Sequence, residues 1–141
     1  MQLSDDFTTW TEGALSDFNG KRNTELIAEV SSYTIDMCMV LKTFNQAEQD
    51  AGRNADWYIP ACGQLALMFL NKTAINEALI KIGSATILDY YYWSSSEYNS
   101  NVGWYVSFHS GYVNYKDKHQ GYRVRFIRDI STISKRISDL E

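Results

Sequence analysis

Few residues in this chain could do covalent or acid–base chemistry, and their spacing does not assemble them. His109 and His119 are the only two histidines and could serve as general bases. Ser94-Ser95-Ser96 followed by Glu97 sets hydroxyls beside a carboxylate. The serines lack the Gly-x-Ser-x-Gly setting that lifts a nucleophile onto a tight turn. Their more ordinary role is to bond a turn while Trp93 packs beside them. Neither histidine has the His-Glu-x-x-His spacing of a metal site, and there is no glycine-rich phosphate loop or dinucleotide fingerprint. Arg123, Arg125 and Arg128 could clamp an anion. The commoner use of such a run is to pair with carboxylates or cover apolar surface with the stems. The expectation is a non-enzymatic protein with no catalytic residue, no metal site and no cofactor.

Recognition chemistry is richer. Residues 90–130 read YYYWSSSEYNSNVGWYVSFHSGYVNYKDKHQGYRVRFIRDI. Over 104–109 the pattern has period two: Trp104, Val106 and Phe108 point one way, Tyr105, Ser107 and His109 the other. Ser110-Gly111 suits a hairpin turn, and Arg123 to Phe126 alternates again as a returning strand. The candidate ligand-binding residues are Tyr105, Ser107, His109, Ser110, Tyr112, Asn114, Tyr115, Asp117 and His119. Tyrosine gives stiff amphipathic contact area, and Ser, Asn and His give adaptable hydrogen bonds.

The upstream half must supply the scaffold. Ala14 to Phe18 reads as a short strand ended by the turn pair Asn19-Gly20. Asn23 or Thr24 can cap a helix carrying Ile27, Val30, Thr34, Met37, Cys38 and Leu41 at helical spacing, to about Phe44. The polar stretch 45–56 reads as a loop, and Trp57 to Pro60 as an extended piece. A helix over 63–70 and another from Thr73 to Gly83 follow. Helices first and strands second is an α+β order. Residues 1–13 form a flexible lead-in, 14–130 the ligand-binding domain, and 131–141 a tail or short helix with Ile133 and Ile137 on one side.

The bulk numbers agree. A chain of 141 residues, 45% hydrophobic and 14% aromatic, makes one domain with a real core. A net charge of −4 argues against a nucleic-acid partner. No apolar run is long enough for membrane insertion, and the first ten residues lack the pattern of a signal peptide. Cys38 and Cys62 make neither a disulfide framework nor a zinc pattern. Cys38 reads as a buried small hydrophobe, and a bond between the two is the alternative.

One block is more specific than any of this. Asp56-Trp57-Tyr58-Ile59-Pro60-Ala61-Cys62-Gly63-Gln64-Leu65 resembles the "DWYLPS…EL" signature of a bacterial C-type-lectin-fold family related in fold to formylglycine-generating enzymes. Further matches follow in the family's order: Gly20 with Asn23-Thr24, Ile75-Asn76 to Ile82-Gly83, Tyr92-Trp93-Ser94-Ser95-Ser96-Glu97-Tyr98, Trp104 to Phe108, and Arg123-Val124-Arg125 with Arg128. The resemblance covers roughly residues 14 to 130. It implies a C-type lectin fold of two or three helices, a small mixed or antiparallel sheet and long loops, displaying a C-terminal surface. Similar proteins include bacteroidal and phage members whose C-terminal segment is altered by diversity-generating retroelements, which mutate adenines. Single changes in the first two bases of an asparagine codon give Tyr, His, Asp or Ser. Tyr105, Ser107, His109, Ser110, Tyr112, Tyr115, Asp117 and His119 are of those types, and Asn114 is an asparagine unaltered. Gln120 cannot arise that way.

Two departures narrow what the resemblance implies. The calcium-binding sugar motifs of lectins are absent, and no cysteine follows Cys62 to support formylglycine-type oxidation. The expected function is therefore recognition of a cell-surface protein or glycan, at a cell surface or on a phage particle. The alternatives are a structural subunit of a phage tail or pilus, and an enzyme of the formylglycine-generating fold using His109 or His119. The sequence leaves the oligomeric state open.

Overall fold

The computed structural model describes residues 17–30, 36–99 and 101–129. The order of elements is α1 (Gly20–Val30), α2 (Asp36–Asp50), α3 (Cys62–Leu70), α4 (Lys72–Lys81), then β1 (Tyr91–Glu97), β2 (Val102–Ser107) and β3 (Val113–Asp117). The three strands form one antiparallel sheet in the order β1-β2-β3. The α+β class expected from the helices-then-strands order is the one the structure has. Among the described residues there are four helices, against the expected two or three.

The boundaries shift for physical reasons. The single helix expected up to Phe44 is two helices, and residues 31–35 between them lie outside the described residues, as do 14–16 of the expected first strand. Asp17 and Phe18 make no strand. Asn23 and Thr24 do not cap α1. They are buried inside it, and Asn19 caps it by accepting from the Arg22 amide at 3.1 Å. Half of the expected loop 45–56 is the end of α2, which runs to Asp50. Its residues through Asp50 are polar because they face water, not because the chain turns. The returning strand expected at Arg123 to Phe126 is reduced to two single bridges, Tyr92 to Arg123 and Tyr58 to Ile127.

The sheet has helices on both faces. On one face Ile27, Met37, Cys38, Leu41 and Ile59 pack against Trp93 and Tyr105. On the other, Leu65 and Ile87 pack against Tyr92, Val106 and Phe108, with Met68, Phe69, Ile75 and Leu79 around them. Each helical layer covers only part of its face, and what is left open becomes the site.

The Trp57-Tyr58-Ile59-Pro60 segment ties the layers together. The Ile59 carbonyl accepts from Ser95 Oγ at 2.8 Å, and the Ile59 amide donates to Thr24 Oγ1 at 3.1 Å. Gln64 Oε1 accepts from the Gly20 and Ala61 amides at 3.0 and 2.9 Å, satisfying the starts of two helices with one side chain. Gly20 is required by this approach: a Cβ there would sit 2.5 Å from Gln64 Oε1 and 2.6 Å from the Ile59 carbonyl oxygen. Ser94, Ser95 and Ser96 are wholly buried at an irregularity in β1. Their hydroxyls do bond backbone, as expected, but in a strand rather than a tight turn. Ser94 Oγ donates to the Trp104 carbonyl at 2.8 Å, and Ser96 Oγ accepts from the Cys62 amide at 3.0 Å.

Both cysteines are free and buried. Burial, then the Glu97 charge, pushes the Cys38 thiol up to about 12, and burial first of all raises Cys62. Burial, then its bond to Asp129, pushes the Tyr58 hydroxyl up to about 12. These groups stay protonated in the fold and ionise sooner once unfolded. Their contribution to stability is complete below the unfolded pKa values and is lost as pH rises through the folded ones. Urea midpoints are expected to be flat to about pH 8 and to fall between about pH 9 and 12. Iodoacetamide at pH 8 is expected to label neither thiol without denaturant, as read by intact mass.

Candidate ligand-binding surface

The open end of the first sheet face is made of phenols. Period two along β1 sets Tyr91 beside Trp93, and β2 brings Tyr105 opposite Asn114 of β3. Tyr122 arrives from the segment that runs parallel beside β1. The ring centroids of Tyr91, Tyr105 and Tyr122 lie 5.0 to 5.3 Å apart, and Trp93 backs Tyr122 at 4.9 Å. Tyr112 stands beside them, 57% exposed, and its hydroxyl accepts from Asn114 Nδ2 at 2.9 Å. Burial, then the neighbouring Tyr91 and Tyr112 hydroxyls, raises the Tyr105 phenol, with Asn114 opposing. Burial, then Tyr105 and Tyr91, raises Tyr122. These phenols therefore stay neutral near pH 7 and offer both a donor and an acceptor.

The nine residues singled out from sequence do not form one face. Tyr105 is 8% exposed and Ser107 3%, so neither points freely outward. Both lie on the central strand, where both faces are covered, and the simple rule of one face in and one face out fails there. Ser107 Oγ is spent on the turn, accepting from the His109 and Ser110 amides. His109 and Ser110 are exposed in that turn. The turn closes at Gly111, whose φ of 79° favours glycine. Tyr112 and Asn114 join the phenol cluster. Tyr115 and Asp117 alternate to the opposite face, and His119 lies in the turn beyond β3, its amide donating to Asp117 Oδ1 at 2.8 Å. The two histidines thus sit at opposite ends of β3. Tyr91 and Tyr122 were not anticipated, although Tyr91 lies two residues before Trp93 and so shares its face.

The arginines do not converge on an anion. Arg123 lies over the Tyr90 ring at 4.3 Å, Arg125 donates to the Ala85 carbonyl at 3.0 Å, and Arg128 pairs with Asp56 at 3.0 Å. Of the three, Arg128 takes the expected pairing with a carboxylate. Among the described residues no group of three His, Cys, Asp or Glu side chains could hold a metal, and no helix is long and apolar enough to cross a membrane. A groove of about 530 Å³ between α1 and α2 has Cys38, Leu41 and Trp57 in its lining.

Fold and surface together define an α+β domain whose sheet displays side chains beyond its helical cover. The chain belongs to the Lcl C-terminal domain family, whose model matches residues 7–128. No curated protein and no solved structure matches it.

Proposed function

We propose that the chain is a non-enzymatic recognition domain that binds a cell-surface protein or glycan through the open end of its sheet. Tyr91, Tyr112, Asn114 and Tyr122 would make the centre of the contact, with His109 and Ser110 at the rim and Tyr105 beneath. The observation that carries this reading is the phenol cluster itself. Stiff rings are held against one another over a packed core, so they lose little freedom on binding. Membership of the Lcl C-terminal domain family fits a binding or recognition domain.

The finer reading is that the scaffold is of the C-type-lectin type and that its exposed positions are diversified, as in bacteroidal or phage proteins. On that reading the diversified set would be His109, Ser110, Tyr112, Asn114, Tyr115, Asp117 and His119, since Tyr105 and Ser107 are buried. A near-copy of the coding segment, differing only where the copy has adenine, supports diversification. An unrelated flanking sequence removes it.

Tyr112→Ala is expected to weaken binding by about 1–3 kcal/mol, and His109→Ala by less. Titration calorimetry against the captured ligand checks this. A pH-dependent activity lost almost wholly on replacing one histidine would instead favour an enzyme.

A further inference from the structure

We infer that the groove between α1 and α2 is the seat of this chain's own residues 130–141, bound there as an amphipathic helix. The inference does not rest on the phenol cluster. Residues 130–141 lie outside the described residues, and it is their sequence and the point where the chain enters them that carry it. Ile130, Ile133, Ile137 and Leu140 recur at steps of three, four and three, which sets them on one side of a helix. The residues between them are Ser, Thr, Lys, Arg and Asp, a polar back.

The chain is fastened to the groove's wall just before this segment begins. Arg128 pairs with Asp56 at 3.0 Å, and the Tyr58 hydroxyl donates to Asp129 Oδ1 at 2.6 Å. Ile127 and Tyr58 exchange backbone bonds at 2.7 and 2.9 Å. Asp56 and Tyr58 both line the groove, so residue 130 starts at its edge. The lengths agree as well. A helix over 130–141 runs about 18 Å, and the α2 wall of the groove, from Cys38 to Gln49, runs about 17 Å.

The lining asks for apolar side chains. Ala28, Cys38, Leu41 and Trp57 contribute to it, and its inner polar atoms are spent within the fold. Asn45 bonds the Trp57 amide and carbonyl at 3.2 and 3.0 Å, Trp57 Nε1 donates to the Asn54 carbonyl at 3.2 Å, and Thr24 Oγ1 donates to the Gly20 carbonyl at 2.7 Å. A small polar ligand would find those anchors taken, whereas isoleucine and leucine need none. The walls carry both signs of charge, in Lys21, Lys42, Glu25 and Asp56, and so does the polar back of the segment, so no single-sign field opposes docking. Cys38, Leu41 and Trp57 belong to the core layer that holds Trp93 and Tyr105. The seated segment therefore thickens the support behind the phenol cluster.

The test places a nitroxide on the polar back of the segment, at Ser138→Cys in the full ¹⁵N-labelled chain, whose two native thiols are buried. The label is expected to erase amide signals along α2 and the Trp57 indole N–H signal, and to spare α4 on the other side of the sheet. Adding Ile133→Asp and Ile137→Asp should restore those signals, and adding Thr132→Asp on the polar back should not. Mixing nitroxide-labelled chain lacking ¹⁵N with unlabelled ¹⁵N chain tells a seat in the same molecule from exchange between copies. The inference is overturned if the α2 signals survive the label, or if the double aspartate change leaves their loss as it was. It is overturned equally if the ¹⁵N chain in the mixture shows the same loss, because the occupant is then a second copy.

Discussion

Replacing Lys118 by alanine is expected to cost about 3–5 kcal/mol of stability. Lys118 is fully buried, and its Nζ lies 2.7 Å from Glu97 Oε1, itself only 2% exposed at the side chain. The pair joins the end of β1 to the turn after β3, across the intervening strand. Removing the ammonium takes its charge away from a carboxylate buried inside the protein. The cost comes mainly from holding that buried charge without the ammonium to balance it, not from the attraction lost. A double replacement, Glu97→Leu with Lys118→Met, is therefore expected to recover most of the loss. Urea unfolding of the two variants decides it. A loss under about 1 kcal/mol for Lys118→Ala would mean that water reaches Glu97 and that the pair behaves as a surface one.

Trp93→Ala is expected to cost a similar amount, about 3–5 kcal/mol. The indole is wholly buried, packs on Tyr122 at 4.9 Å and Tyr105 at 6.4 Å, and donates from Nε1 to the Gln120 carbonyl at 2.9 Å. It is the floor beneath the phenol cluster, so its loss should loosen the surface as well as the core. Trp93→Phe keeps apolar area and removes the bond, and should fall between the two. Thermal melts rank the series. Equal melting of wild type and Trp93→Ala would show that the cluster does not rest on this side chain.

The scaffold was more legible in sequence than the site. Leu65, Val106, Phe108 and Gly111 fall where periodicity and turn chemistry put them. The Asp56-to-Leu65 block, read as a signature, works as structure: Ile59, Pro60 and Gln64 carry the bonds that join α1, α3 and β1. The site was harder because period two says which residues share a face, not whether that face is covered. Tyr105 alternates correctly and is still buried, because α1 and α2 reach partway over it. Tyr112 and Tyr115 look equivalent along the chain, yet three steps of alternation set them on opposite sides. Tyr91 and Tyr122 reach the cluster only through pairings made at long range, Tyr91 with Ser107 and the 123 segment with β1. No local pattern announces those contacts.

Whether the open phenol cluster is the recognition surface is settled most directly by staining cells. A fluorescently labelled domain would be compared with a Tyr91→Ala, Tyr112→Ala double variant of matched stability by flow cytometry, over a panel of bacterial and epithelial cells, with Leu70→Ala as control. Staining that the double variant loses and the control keeps is the expected outcome. Staining of equal strength by all three proteins would place recognition elsewhere on the molecule.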